Sequence, residues 1–272
     1  MNPPAQPGLL LQLTGPLQSW GERSHFNDRD TAGFPTRSGV IGLVASALGR
    51  DRGAALDDLT ELSVTTRVDR PGVLLNDLHT VGGGLPPRAT VTTAEGKKRS
   101  GDTGTVLTHR TYLADAAFTL ALTGPPDLLH HTAQALTTPH WPPYLGRRSC
   151  PPEGPLLLGH FDDALHHLVH LPIAAPRPHD SADIAFLGDR PLDLLPAPDT
   201  SHDPETGTQP VSQVNDQPLS FHPRHRSYRT RALYRRILRL PADQHSGYGT
   251  DHLNRLATYL DEHLNHPERT PR

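Results

Sequence analysis

The sequence predicts an α+β protein in which an antiparallel sheet carries helices on one face. Three observations carry this reading. Short strand-like runs alternate with segments of helical periodicity. Turn residues such as Gly15-Pro16 punctuate their ends. Two strand-like runs flank a long stretch, 80–108, that has almost no core-forming pattern.

Taken in order, residues 8–14 (GLLLQLT) read as the first strand. A polar loop, QSWGERSHFNDRDTAGFP, leads to a helix over 36–50. Thr36 or Ser38 can cap that helix, Val40, Ile41, Val44, Ala47 and Leu48 share one face, and Gly49 sits where a terminating glycine belongs. A helical turn follows near 54–62, and 62–69 and 73–79 alternate as strands. The 80–108 stretch lies between LLNDLHTV and VLTHRTYLADAAFTLALT, which predicts a long hairpin or finger between paired strands. Helices are expected over 126–138 and 161–171, and extended loops over the Pro- and Asp-rich 174–218. Residues 219–240 read as one or two strands, and 249–264 as an amphipathic helix with Leu253, Leu256, Leu260 and Leu264 at helical spacing. The order strand, helix, strand, hairpin, strand, helix is that of a ferredoxin-like fold.

Composition limits the function. The 272 residues suffice for one large or two small domains. A hydrophobic fraction of 35% with 29 prolines and 23 glycines predicts a modest core with long connections. The net charge of −3 removes a whole-chain basic footprint, so any nucleic-acid contact must come from local patches. A single cysteine, Cys150, excludes an internal disulfide framework and fits a reducing cytoplasm. No apolar run reaches membrane-spanning length, and no charged segment precedes the first short apolar stretch, so a soluble, cytoplasmic protein is expected. Walker loop, nucleophile elbow and dinucleotide fingerprint are all absent.

Four groups of residues have the chemistry of RNA binding. Gln18, Trp20, Arg23, His25, Phe26, Asn27 and Arg29 precede a helix N-terminus at which Arg37, Ser38 and Gly39 sit. Interleaved aromatics and cations there suit bases and phosphates, and Gly39 would let a phosphate approach the backbone. The plainer reading is an ordinary loop with a buried tryptophan and a capped helix. Lys97, Lys98 and Arg99 crowd the finger tip, and Lys97 and Lys98 are the only lysines in the chain; the plainer reading, favoured by the residues alone, is a solvated loop kept soluble by its charge. Tyr144, Arg147, Arg148 and Ser149 form a tight basic turn that would serve RNA or a protein neighbour equally well. Seven arginines and no acid lie between His222 and Arg239; Arg229 and Arg231 would share one strand face, with Arg224 and Arg226 joining if the strand starts early. Against this stands ion pairing or a solvated edge strand. The histidines, including His166, His167 and His170, form no metal-site motif, and no metal or cofactor is expected.

The segments LQLTGPLQSWGERSHFNDRDTAGFPTRSGVIGLVASALGR, VDRPGVLLNDLHTVGG, LTHRTYLADAAF and YLGRRSCPP together resemble the CasD-type subunits of type I-E CRISPR Cascade complexes, members of the RAMP superfamily, from about Leu9 to about Arg239. The resemblance implies a modified ferredoxin-like (RRM-like) palm over 1–79 and 109–240, a β-hairpin thumb inserted at 80–108, and a helix and tail over 241–272. It further implies a non-catalytic subunit that caps the backbone of the complex and holds the 5′ handle of the CRISPR RNA (crRNA). The implied neighbours are the large PAM-recognising subunit and a CasC-type backbone subunit, with target DNA met only through the complex. Arg110 and Tyr112, on the strand after the thumb, join the candidate RNA contacts on chemical grounds. The alternative is a metal-independent endoribonuclease, for which His25, His109, Arg110 and Tyr112 would have to supply base, acid and phosphorane cation.

Overall fold

A computed structural model describes residues 4–21, 27–86, 88–92, 96–98, 104–196 and 207–264. In chain order the elements are β1 (Gly8–Thr14), β2 (Leu17–Gln18), β3 (Asp28–Arg29), α1 (Arg37–Ala47), β4 (Ser63–Arg70), β5 (Val73–Val81), β6 (Val106–Ala114) and β7 (Ala117–Thr123). There follow α2 (Pro126–Thr137), β8 (Leu157–Phe161), α3 (Ala164–His170), β9 (Ser181–Gly188), β10 (Pro210–Ser220), β11 (Ser227–Pro241) and α4 (Gly249–Leu264).

A seven-stranded sheet in the order β10-β11-β9-β4-β7-β1-β8 forms the body, and every pairing in it is antiparallel. The mixed α+β class and the antiparallel sheet follow the sequence reading; the placement of helices on one face does not. Leu9, Leu11 and Leu13 of β1 point into a core shared with α1 and α2, whereas Leu10 points into a second core with α3 and α4. The signal lay in GLLLQLT, which is apolar on both parities, as a strand covered on both sides must be.

Residues 174–218 are the second correction, for they contain β9 and β10 instead of loops alone. β9 seats Ile184 and Phe186 in the core at alternate positions. β10 is an edge strand, mostly exposed, so Pro210 and Pro218 are tolerated there and the polar, Pro-rich sequence resembles a loop. The opposite edge strand, β8, also falls outside the sequence reading; it ends before Asp163 caps α3 by accepting from the His166 N–H at 3.1 Å.

A second sheet is built on β6. β5 pairs along its whole length, from Val73 opposite Ala114 to Val81 opposite Val106. On the other side β2 pairs antiparallel at 113–114 and β3 parallel at 109–110. The β5–β6 ribbon leaves the body with Val73, Leu74, Leu78 and Leu107 more than half exposed.

Helix α4 docks through His252 and Leu256, with Tyr259 and Leu260 half-buried, and Leu253 and Leu264 remain outside. The inward stripe is therefore rotated from the leucine spacing expected. A buried polar relay selects it. The amide of Gln12 on β1 donates to Nε2 of His252, whose Nδ1 then donates to Oγ of Ser246 (2.7 Å), whose hydroxyl donates to the carbonyl of Ile173 (2.9 Å).

This relay needs neutral His252, and burial pulls that histidine down. Burial, then the neighbouring His166 and His263, takes His167, which bonds the Tyr259 hydroxyl at 2.8 Å, from 6.5 to about 4. Burial also lowers His166 and His245. The unfolded chain therefore takes up protons that the folded chain refuses as pH falls below 6.5, and stability decreases down to about pH 4. Denaturation midpoints measured across that window should drop, and His167→Gln should flatten the slope. An unchanged slope in the variant would remove His167 from the account.

Candidate nucleic-acid interface

Between β1 and α1 the chain is tied down from inside. Gln18 donates to the carbonyls of Leu13 and Ala116, both at 2.9 Å, and accepts from Nε1 of Trp20 at 3.0 Å. Trp20 is 1% exposed. Its ring occupies the space a side chain at position 39 would need: a Cβ on Gly39 would lie 2.7 Å from the indole. Gly39 thus makes room for a tryptophan, not a phosphate. Gln18 and Trp20 are structural here, and the plainer reading of this loop holds for them.

Thr36 caps α1 by accepting from the Gly39 N–H (3.3 Å), which leaves Ser38 and Gly39 half-buried on the surface. Arg37 turns inward and is 4% exposed. Its guanidinium meets Asp189, Gln217 (2.5 Å) and the Thr60 carbonyl (2.8 Å), while its backbone N–H donates to Asp216 at 2.7 Å. Burial lowers the Arg37 guanidinium from its ordinary value, and Asp189 opposes that fall. Asp216 also receives Arg231 bidentately at 2.6 and 2.9 Å. The β10–β11 register shifts between Val214 and Gln217, and Asp216 sits in that irregularity, which aims its carboxylate inward. Arg37 and Arg231 are therefore neutralised within the chain. They tie the start of α1 to the outer strands.

The tight basic turn is real and rigid. The Leu145 N–H donates to the Cys150 carbonyl (2.7 Å) and the Ser19 N–H to the Leu145 carbonyl (3.0 Å). Gly146 has φ +92°, and a Cβ there would fall 1.7 Å from the Ser19 carbonyl oxygen, so only glycine fits. Arg147 lies over the ring of Tyr112 at 4.6 Å and donates to the carbonyls of Thr111, Arg29 and Asp30. It is a keystone for β3 and β6 that also edges the surface. Tyr112, 2% exposed, supports it from beneath and offers no free face. Cys150 is buried, and burial pushes its thiol up, away from reactivity.

These elements enclose a cleft of about 1210 Å³. One wall is α1 along nearly its whole length, from Ser38 to Ser46, with the loop after it, the second is the 141–148 loop, and the third is the β10–β11 end. Phe221 closes the third wall against Gly42 of α1, whose absent Cβ would be 3.7 Å away. Among the described residues, Arg29, Arg50, Arg52, Arg147, Arg148 and Arg226 line the cleft, against one acid, Asp51. Arg50 is also paired with Asp58, whereas Arg29, Arg52, Arg148 and Arg226 are exposed. Trp141, Tyr144 and Tyr228 add planar surface.

The cleft thus gathers Arg29, Ser38, Gly39, Tyr144, Arg147 and Arg148 from the candidates. Asn27 is exposed and its carbonyl takes the His109 N–H at 2.9 Å. Arg110 is half-buried on β6, and Arg229 is exposed on β11; neither lines the cleft. Lys97 and Lys98 are exposed, and Lys98 donates to the Thr90 carbonyl at 2.9 Å. Arg23, His25, Phe26 and Arg99 lie outside the described residues. His109 and Arg110 point to opposite faces of β6, and Tyr112 is buried, so these three do not converge as a cleavage site would require. Among the described residues no three His, Cys, Asp or Glu side chains are grouped to hold a metal. Arg50, Arg52, Trp141, Phe221 and Tyr228 were missed as candidates. Arg50-Asp51-Arg52 directly after Gly49 was the one local signal available for this group.

The class these features define is an α+β protein whose antiparallel sheet backs a cationic cleft beside a projecting two-stranded ribbon. The chain belongs to the family described as CRISPR-associated protein (Cas_Cas5), which it matches over residues 8–234. It is 40% identical over 157 residues to the CRISPR system Cascade subunit CasD of Escherichia coli (strain K12), covering 56% of this chain and 70% of that one. A solved chain described as "CRISPR RNA-guided surveillance complex" superposes with TM-score 0.80 at 41% identity, over 93% of this chain and 99% of the other. Another, "Crystal structure of Cas protein", gives TM-score 0.57 at 32% identity, over 89% and 99%. Among the described residues no helix is long and apolar enough to cross a membrane.

Proposed function

We propose that this chain is a non-catalytic, cytoplasmic subunit of a type I-E CRISPR surveillance complex, and that its cleft holds the 5′ handle of the crRNA. The observation that carries this reading is the charge of the cleft: among the described residues six arginines, of which only Arg50 is paired with a carboxylate outside the lining (Asp58), face one aspartate in a chain whose net charge is −3. Such a concentration suits a single-stranded polyanion, with aromatic faces for its bases. The succession β1-α1-β4-β7-α2-β8, with spatial order β4-β7-β1-β8, corresponds to a ferredoxin-like palm extended by β9, β11 and β10. The β5–β6 ribbon corresponds to the thumb. Its exposed Val73, Leu74, Leu78 and Leu107 suit a protein neighbour, in this reading a CasC-type backbone subunit. The large PAM-recognising subunit is the other neighbour, and target DNA is met only through the assembly.

The test is crosslinking of the full chain to repeat-derived RNA in the presence of EDTA. Crosslinks should fall within 29–52, 141–148 and 221–228, and the RNA should stay whole. Crosslinks confined to other surfaces would defeat the cleft assignment. One defined cut in the RNA, lost in His109→Ala, would replace the non-catalytic reading with an endoribonuclease.

A further inference from the structure

The chain has two tryptophans, and the fold treats them oppositely. Trp20 is 1% exposed and packed on Gly39, whereas Trp141 is 40% exposed at the cleft. Leaving two-fifths of a large indole in water forgoes burial that the fold uses elsewhere, and among the described residues its one ring contact is with His140. Nor is the position loose. The His140 N–H donates to the Ala47 carbonyl at the end of α1 (2.9 Å). The His140 ring sits on Gly49, where a Cβ would come within 2.7 Å, and meets the Trp141 ring edge-on at 4.6 Å and 84°. Pro142 and Pro143 follow and restrict the backbone on the other side. The indole is thus presented on a stiff support, with little entropy left to lose on binding.

Its surroundings decide what it meets. Arg50 and Arg52 line the cleft from the loop after α1, and Tyr144 and Arg148 from the same loop as Trp141. A planar apolar face among guanidinium groups suits a base with its flanking phosphates; an apolar protein anchor would face desolvation of those cations. We propose that Trp141 is a stacking platform for one unpaired nucleobase of the RNA bound in this cleft. The inference rests on the RNA reading of the cleft, and deepens it by naming where a base, as distinct from the phosphate chain, is held.

Because Trp20 is buried, quencher-accessible fluorescence reports Trp141 alone. The full chain is titrated with a short single-stranded RNA carrying the repeat-derived 5′ segment, and with the same RNA bearing one abasic position moved along its length. RNA should quench and shield the exposed indole, and one abasic position should abolish the effect. Trp141→Ala should weaken binding roughly tenfold without changing its salt slope or the thermal melt, and Trp141→Phe should restore most of the affinity. If RNA binds with steep salt dependence while Trp141→Ala binds equally well and the fluorescence is unmoved, the platform is overturned and the cleft reading stands. If the wild-type chain binds no RNA even at low salt, both fall together.

Discussion

Replacing Arg52, Arg148 and Arg226 together by alanine should weaken binding of handle RNA by about a hundredfold at 0.1 M salt and flatten the salt dependence. The magnitude follows from counterion release: each single-strand phosphate contact contributes about 0.7 to the slope of log K against log salt, so three contacts contribute about 2, and the effect over the decade below 1 M salt is about two orders of magnitude. The three side chains stand exposed on separate walls of the cleft. Their loss should therefore leave the thermal melt within about the small range typical of surface changes, ±0.5 kcal/mol. Arg229→Ala is the internal comparison, because Arg229 is exposed on β11 outside the cleft lining. An equal loss of slope in that variant would mean that charge acts over the whole surface and the cleft has no special part. Arg37 and Arg231 should behave differently again. Their charges are spent on Asp189 and Asp216, so changing them should lower stability before it lowers the slope.

Asp69→Ala should cost about 3–5 kcal/mol, the typical loss when one member of a buried ion pair is removed. Arg67, on β4, is completely buried. It pairs with Asp69 at 2.6 and 3.1 Å and donates to the carbonyls of Leu168 and Leu171 at 2.7 Å and of Pro172 at 2.9 Å. The guanidinium thereby closes the C-terminal end of α3, where carbonyls lack helical partners and the dipole favours a cation. Asp69 in turn accepts from Thr119 (3.0 Å) and from the Ala174 N–H (3.2 Å). Without the carboxylate a full charge stays buried without its counter-ion. Against a total stability of about 5–15 kcal/mol, that loss puts much of the chain at risk of unfolding. Denaturant titration should show the midpoint moving at constant m-value. Arg67→Met/Asp69→Leu should cost less than Asp69→Ala alone, because it removes both charges. A loss under about 1 kcal/mol in Asp69→Ala would mean that water reaches this site and that the pair is not structural. Both residues belong to the side of the sheet that carries α3, so surviving folded protein should keep its RNA salt slope.

Together the two expectations separate two uses of one residue type. With only two lysines, the chain relies on arginine for nearly all of its positive charge. Some arginines serve as internal fastening: Arg67 ends α3, Arg37 and Arg231 tie α1 to the outer strands, and Arg147 joins the basic turn to β3 and β6. Others, Arg29, Arg52, Arg148 and Arg226, stand exposed at the cleft. The planar fork with its five donors suits both tasks, since it can satisfy several carbonyls at once or face a phosphate.

The local elements were legible in the amino-acid sequence. Thr36 as a cap, the apolar face of α1, α2, α4 and the basic turn at 144–150 depend on interactions within a few residues, and the strands on either side of 80–108 show by their alternation although they pair over 25 residues or more; these signals are periodic or positional. Motifs in a fixed order also made the family recognisable from the residues, and the match over 8–234 bears it out. Tertiary structure alone decided which cations are available. Arg37 finds Asp189 and Asp216 at separations of 152 and 179 residues, and Arg231 finds Asp216 across a bulged strand pair. A run of arginines without a neighbouring acid therefore looked free where it was not. The same holds for the two tryptophans and for strands β9 and β10. Burial, register and long-range ion pairing depend on what the rest of the chain brings alongside, and no local pattern of residues encodes that.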